Sequence, residues 1–147
     1  MGVLFLGKGN SWIMNEVRTP VRRFEDLIAW QEARGLTREV YRLAREVPVA
    51  PEIRDRAVAL TLATHPDHAA APPAVKKYVR FGSSPRGAQS LVLAAKVAAI
   101  LDGRFHVAKA DLHTAAPAVL RHRLILNFEG QAGGVGADDV ISEVVGV

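Results

Sequence analysis

The segment Gly2-Val3-Leu4-Phe5-Leu6-Gly7-Lys8-Gly9 places Gly, Gly and Lys at the spacing of a phosphate-binding loop. Such a loop needs a preceding strand, small or polar residues whose N–H groups converge on phosphate oxygens, and a Ser or Thr hydroxyl after the Lys for Mg2+. No strand fits before residue 2, the intervening residues are bulky and apolar, and position 9 is Gly, so this segment is not read as a nucleotide site. Ser84-Pro85-Arg86-Gly87-Ala88-Gln89 is more informative. Ser84 can cap a helix, and Pro85 sits where its missing N–H is harmless. Arg86 then falls in the first turn, against the macrodipole's preference for negative charge. An anion would compensate, because free N–H groups at a helix start and an Arg fork together suit a phosphate. The competing reading is an Arg that pairs with a nearby carboxylate or lies in solvent. Gly87 and Ala88 would let another chain approach closely.

His65, Asp67 and His68 are spaced like metal ligands, but Pro66 interrupts them and no third His is near, so they read as a structural turn. Arg121-His122-Arg123 forms a basic turn that can meet phosphate or an acidic partner, with exposed surface as the default. No catalytic set and no metal site emerge. The chain has no Cys nucleophile, no paired carboxylates with a division of labour and no Gly-x-Ser-x-Gly elbow. Trp12 and Trp30 read as packing residues, since readers of single strands interleave several aromatics with basic residues. Nucleic acid is not an expected partner.

These groups need elements to hold them. The chain has 147 residues, 49% hydrophobic and 23% charged, which suits one folded domain plus an appended helical piece. The absence of Cys removes disulfides and thiolate metal sites, and it suits a reducing cytoplasm. Val3-Leu4-Phe5-Leu6 is too short to span a membrane and lacks the basic flank of a secretory signal, so the expected location is cytoplasmic. The net charge of +4 is uneven: residues 57–123 hold nine Lys/Arg against three acids, and 124–147 hold four acids and no Lys/Arg. Such asymmetry can steer an anion, but solvated helix faces produce it too.

Residues 1–13 show no periodicity and are expected to be a spurious or disordered leader, with Met14 opening a more regular segment. From Phe24 to Val47, apolar residues recur at three- and four-residue steps, which predicts an amphipathic helix stopped by Pro48-Val49-Ala50-Pro51. Further helices are expected over Glu52–Thr64, Ala74–Phe81 and Pro85–Asp102, the last ending at Gly103. Thr64 to Pro73 reads as a turn-rich connection, and Arg104 to Val107 as a short extended link. Asp111–Leu126 reads as a helix that Pro117 kinks or breaks, Gly130–Gly136 as a loop, and Asp138-Asp139 as the start of a last helix. Nothing in the pattern demands a sheet.

The stretch from Arg45-Glu46-Val47-Pro48-Val49-Ala50-Pro51-Glu52-Ile53 onward, about two thirds of the chain, carries five further ordered blocks. They are Ala63-Thr64-His65-Pro66, Val79-Arg80-Phe81-Gly82-Ser83-Ser84-Pro85-Arg86-Gly87-Ala88-Gln89, Leu93-Ala94-Ala95-Lys96-Val97, Leu101-Asp102-Gly103-Arg104 and Leu120-Arg121-His122-Arg123-Leu124-Ile125-Leu126-Asn127-Phe128-Glu129. This pattern resembles the lid domain of MoxR-type AAA+ ATPases, related to the magnesium chelatase ATPase subunit. The resemblance implies an all-α fold over 48–147, a helical lid that closes over ATP bound on an α/β core. It puts Arg86, after Ser84 and Pro85, on the sensor-2 arginine that reaches the γ-phosphate. ATP is then a cofactor only with a partner core, which also carries Mg2+, and the partners are that core or a MoxR-type ring. No Walker A, Walker B, sensor 1 or arginine finger stands in these residues, so turnover by the chain alone is not expected.

Residues 14–47 carry Val21-Arg22-Arg23-Phe24-Glu25-Asp26-Leu27-Ile28-Ala29-Trp30-Gln31-Glu32-Ala33, which resembles the opening helix of small four-helix-bundle proteins associated with intervening sequences in ribosomal RNA genes. Those assemble as oligomers, which implies self-association through 24–47 with Trp30 and Leu27 in the contact. Arg121 and Arg123 complete the expected interaction residues. The expected architecture is thus a lid bundle with an extra N-terminal amphipathic helix, acting as an ATPase accessory. The alternatives are an oligomerisation module or a non-functional gene remnant.

Overall fold

A computed structural model describes residues 23–146. The leader 1–13, the loop-like segment at 2–9, Trp12 and residues 14–22 lie outside the described residues. The described residues fall into two units that divide between Leu36 and Thr37, within one helix.

In the first unit, a 3-10 turn at Phe24–Asp26 leads into α1, Ile28–Glu46. The Asp26 carboxylate accepts from the Arg23 N–H at 3.0 Å, and Gln31 donates to the Glu25 carbonyl at 3.0 Å, fixing the entry to the helix. Trp30 packs edge-on against Phe24, with ring centroids 5.4 Å apart, and the Arg34 guanidinium lies 5.1 Å from its ring. This half of α1 buries no residue completely.

The second unit comprises the rest of α1, then α2 (Pro51–Leu62), α3 (Pro73–Tyr78), β1 (Val79–Phe81), α4 (Pro85–Leu101), α5 (Lys109–Leu120), β2 (Ile125–Leu126), α6 (Phe128–Ala132) and α7 (Ala137–Gly146). The architecture is all-α apart from one small ribbon. Pro51, Pro73 and Pro85 each stand in the first turn of a helix, where the fixed φ suits the start and the absent N–H has no partner to lose.

The core is organised by α4 and α5, which pack along each other. On α4, Gly87, Leu91, Ala95 and Ala99 are all buried at a strict four-residue step, which makes one ridge of mostly small residues. On α5, Leu112, Ala115, Ala116, Val119 and Leu120 are buried. Small side chains let the two backbones approach, while Leu91, Leu112 and Leu120 supply most of the apolar area. Each such Leu, fully buried, contributes about 1.5–3 kcal/mol. α2 adds Ile53, Ala57 and Leu60 to this core, and α7 adds Val140, Ile141 and Val144.

Two charged side chains join helix ends across the core. Glu143 of α7 accepts from the Ala74 N–H in the first turn of α3 at 3.1 Å, and Arg56 of α2 donates to the Val145 carbonyl near the end of α7 at 3.2 Å. Each charge has the sign that its helix end favours. Lys96 does the same for α1, donating to the Ala44 carbonyl at 2.9 Å.

The pattern-based expectations need four corrections. The helix expected over Ala74–Phe81 stops at Tyr78, and Val79–Phe81 becomes a strand. The helix expected to reach Leu126 stops at Leu120, followed by a 3-10 turn at Arg121–Arg123 and a strand at Ile125–Leu126. These two strands pair antiparallel, Val79 with Leu126 and Phe81 with Ile125, so a sheet that no local pattern demanded closes over two helix ends. Pro117 lies inside α5 and cannot donate to the carbonyl four residues back, which weakens the last turn and lets the chain tighten and leave the helix. Residues 130–136 are not all loop: α6 reaches Ala132, capped by Asn127, whose side chain accepts from the Gly130 N–H at 2.9 Å. Arg104–Val107 is an irregular loop rather than an extended link.

That loop is held by a part-buried ion pair. Arg104 grips Asp111 with two nitrogens, at 3.0 and 2.6 Å, and also reaches Asp102 at 2.9 Å. Asp111 is 5% exposed and accepts the Ala108 N–H at 2.8 Å, which caps α5. The hydrogen bonds from Arg104 hold its carboxyl below the usual aspartate range. A lowered folded pKa contributes stability that is whole above the unfolded value of 3.8 and fades as pH falls through the folded value. Asp111→Asn should therefore lower the melting temperature at neutral pH by about 5 °C. The gap from the parent should shrink in melts taken below about pH 4, and a gap that is independent of pH would refute the ion-pair origin.

Candidate functional site

The start of α4 is set by residues of the connection before it and by the end of α2. Thr61 and Thr64 are buried, and their hydroxyls turn back on the helix: Thr61 donates to the Ala57 carbonyl at 2.9 Å and Thr64 to the Thr61 carbonyl at 2.6 Å. The Thr64 oxygen then accepts the Ser83 N–H at 2.8 Å. The Ser83 carbonyl meets His65 Nε2 at 2.9 Å, and because a carbonyl only accepts, that nitrogen carries the proton. Both backbone polar groups of Ser83, itself wholly buried, are thus held by consecutive residues of one turn.

Two glycines make this seat possible by their size. A Cβ on Gly82 would lie 2.7 Å from the Thr64 carbonyl oxygen and 2.8 Å from the His65 ring. A Cβ on Gly87 would run into Ser83 Oγ, with Leu120 Cδ2 3.6 Å away. The close approach expected at Gly87 is therefore made by the chain's own connection and by α5.

Ser84 takes the N-cap position with extended φ and ψ of −64° and 167°, but its side chain makes no cap hydrogen bond, which corrects the expectation that it caps α4. Its backbone carbonyl instead accepts the Gly87 N–H at 2.7 Å. Ser84, Pro85 and Arg86 are all exposed. The first turn of α4 contains no acidic residue, and Arg86 makes no ion pair among the described residues. A free guanidinium thus projects from a helix end whose own partial charge is positive. Chemically this is a donor set for an anionic oxygen. It offers no ligand for a cation, and among the described residues no group of three or more His, Asp or Glu is placed to hold a metal ion.

The other sequence-level residues have different surroundings. His65 is occupied by Ser83, and His68 Nδ1 accepts the Ala70 N–H at 3.2 Å, so the two imidazoles serve the turn. Arg121 pairs with Asp138 through two bonds of 2.8 Å, and Arg121 holds the Asp138 carboxyl below its usual range. Arg123 donates to the Val119 carbonyl at 3.1 Å and to Ser90 Oγ at 3.2 Å, tying the end of α5 to α4. Both arginines are engaged within their own chain. Trp30 is half-buried, and Leu27 is exposed.

Thr64, Ser83 and Gly82 are the positioning residues that residue chemistry alone did not single out. Their one signal was the clustering of Thr, His, Gly and Ser around two prolines, which reads equally well as an ordinary turn. No helix among the described residues is long and apolar enough to cross a membrane.

Residues 72–144 match the AAA lid domain family. A 71-residue stretch, 48% of the chain, is 38% identical to the chaperone MoxR1 of Mycobacterium tuberculosis and spans 19% of that protein. The Bacillus subtilis protein YeaC is 29% identical over 134 residues, 90% of this chain and 37% of YeaC. The chain therefore spans well under half the length of these curated relatives. Among solved structures, a candidate ATPase from Cytophaga hutchinsonii superposes with a TM-score of 0.68 at 27% identity, covering 73% of this chain and 32% of that one.

Removing the Thr64 hydroxyl by Thr64→Val leaves the buried Ser83 N–H without its acceptor and should cost about 1–3 kcal/mol in urea unfolding. Gly87→Ala should cost about 1–3 kcal/mol by overpacking. Parent-like midpoints for both variants would show that the seat is not rigid.

Proposed function

Because residues 72–144 are an AAA lid domain related to those of MoxR-type AAA+ ATPases, we propose that the chain acts as a helical lid closing over ATP on an α/β core, with Arg86 as its sensor of the γ-phosphate. The observation that carries this reading is the exposed Arg86, which makes no ion pair among the described residues, in the first turn of α4, a helix whose start is fixed by the hydrogen bonds of Thr64 and His65 to Ser83.

Arg86 supplies a planar, permanently charged fork that matches phosphate oxygens and strengthens as charge develops on the transferred group. Pro85 and Ser84 set the direction in which it leaves the helix. The core supplies the phosphate loop and Mg2+, and these residues supply no metal ligands of their own. Domain closure then moves Arg86 as part of a rigid body, so nucleotide state and lid position are coupled. The partner is an AAA+ core or a ring of such cores.

The test is ATP hydrolysis by a lid-deleted MoxR-type core with this chain added. The parent chain should stimulate turnover, and Arg86→Ala should remove that stimulation by at least about tenfold, a loss of about 1.4 kcal/mol in transition-state stabilisation. No stimulation by either chain would sink the lid mechanism.

A second reading, self-association through residues 24–47, is favoured by the exposure of Leu27 (45%), Ile28 (64%) and Leu36 (68%). Sedimentation at several concentrations separates the two. Association that survives Arg86→Ala and is lost in Trp30→Ala supports the second reading, and a monomer at all concentrations excludes it.

A further inference from the structure

An open groove of about 530 Å3 lies where the segment after α1 meets α2 and the first half of α4. Val58 and Val92 line it with accessible aliphatic surface, Val47 and Val49 line it but belong to the buried core, and Arg45, Arg54 and Lys96 line it with positive charge. No carboxylate is among the lining residues. Lys96 is fixed in place by the Ala44 carbonyl at 2.9 Å. Arg45 and Arg54 are exposed and make no ion pair among the described residues. Val58 is 49% exposed, so apolar area remains open between the cations.

We propose that this groove docks an acidic amphipathic segment of a partner protein, with aliphatic side chains against Val58 and Val92 and carboxylates on Arg45 and Arg54. The charge of the lining selects an anionic partner and repels a basic one. Its aliphatic character selects a polypeptide over single-stranded nucleic acid, which needs aromatic platforms for its bases, and no aromatic residue lines the groove. An amphipathic helix meets both demands at once, placing apolar side chains at three- and four-residue steps between its carboxylates. The acidic helix of this chain, α7, is no match, because its apolar residues Val140, Ile141 and Val144 are already buried in the core. The groove does not include Arg86, although Ala88 and Gln89 of the same helix line it, and the binding test below needs neither ATP nor an ATPase core.

The probe is a fluorescein-labelled synthetic peptide with Leu at i, i+3, i+4 and i+7 and Glu at the other positions, titrated with the full chain by fluorescence anisotropy. Saturable binding is expected, and it should weaken at least about tenfold as ionic strength rises from about 0.01 M to about 1 M. The double variant Arg45→Glu/Arg54→Glu should bind at least about tenfold more weakly, and Arg54→Ala alone about threefold more weakly. Arg80→Glu, outside the groove, should leave binding unchanged. Circular dichroism of each variant establishes that it is folded. Three results would each overturn the proposal: no saturable binding, equal affinity for the peptide with Gln in place of Glu, or tighter binding of a single-stranded oligonucleotide through the same two arginines.

Discussion

The hydrogen bonds between the end of α2 and Ser83 decide where the functional helix begins. A connection between helices normally runs over the surface, where water satisfies its backbone. Here the connection dips inward, with Ser83 fully buried, so its N–H and carbonyl must find protein partners. Thr64 and His65 provide them, and Thr64 uses one oxygen both to donate to Thr61 and to accept from Ser83. The orientation of α4 is therefore coupled to α2 through short, desolvated bonds rather than through loop packing alone. Everything that α4 carries inherits that orientation.

The ridge of Gly87, Leu91, Ala95 and Ala99 transmits it further. A helix pair packed through small residues has little freedom to rotate, because a small rotation brings larger neighbours into the contact. The Arg104–Asp111 pair closes the far end of the same two helices, and the β1–β2 ribbon closes the connection from α5 back to α3. Burying a charge such as Asp111 is unfavourable unless it is fully paired. Here Arg104 and the Ala108 N–H both reach it. Specific polar contacts at both ends of α4 and α5 thus add to the apolar packing between them.

The sequence displayed helices wherever their periodicity and stop signals were local. Pro85 marked a helix start, Gly103 an end, and both were found within a residue or two. What it hid was non-local. Val79–Phe81 and Ile125–Leu126 become strands only because they meet each other, and neither stretch is long enough to show alternation. Arg86 was legible as a cation at a helix start, which is a local anomaly. Thr64 was not, because a buried Thr that accepts a distant N–H looks like any Thr at a helix end. Arg121 and His122 are exposed, as a basic turn of surface would be, yet Arg121 also binds Asp138 and the half-buried Arg123 binds Val119 and Ser90, contacts that no spacing rule anticipates.

Those two arginines show why net charge is a poor guide to partners here. The basic excess over residues 57–123 suggests a broad positive surface. Much of it is spoken for internally: Arg104 by Asp111, Arg121 by Asp138, Lys77 by Glu129, and Lys96 by the end of α1. Cations that make no ion pair among the described residues stand out against that background, and Arg86, Arg45 and Arg54 are among them. Leaving a guanidinium unpaired at the positive end of a helix opposes stability. A groove that keeps aliphatic surface in water forgoes burial in the same way. Both features are local conflicts between a residue and its surroundings, and such conflicts mark the surfaces where a ligand or a partner supplies the missing half of the interaction.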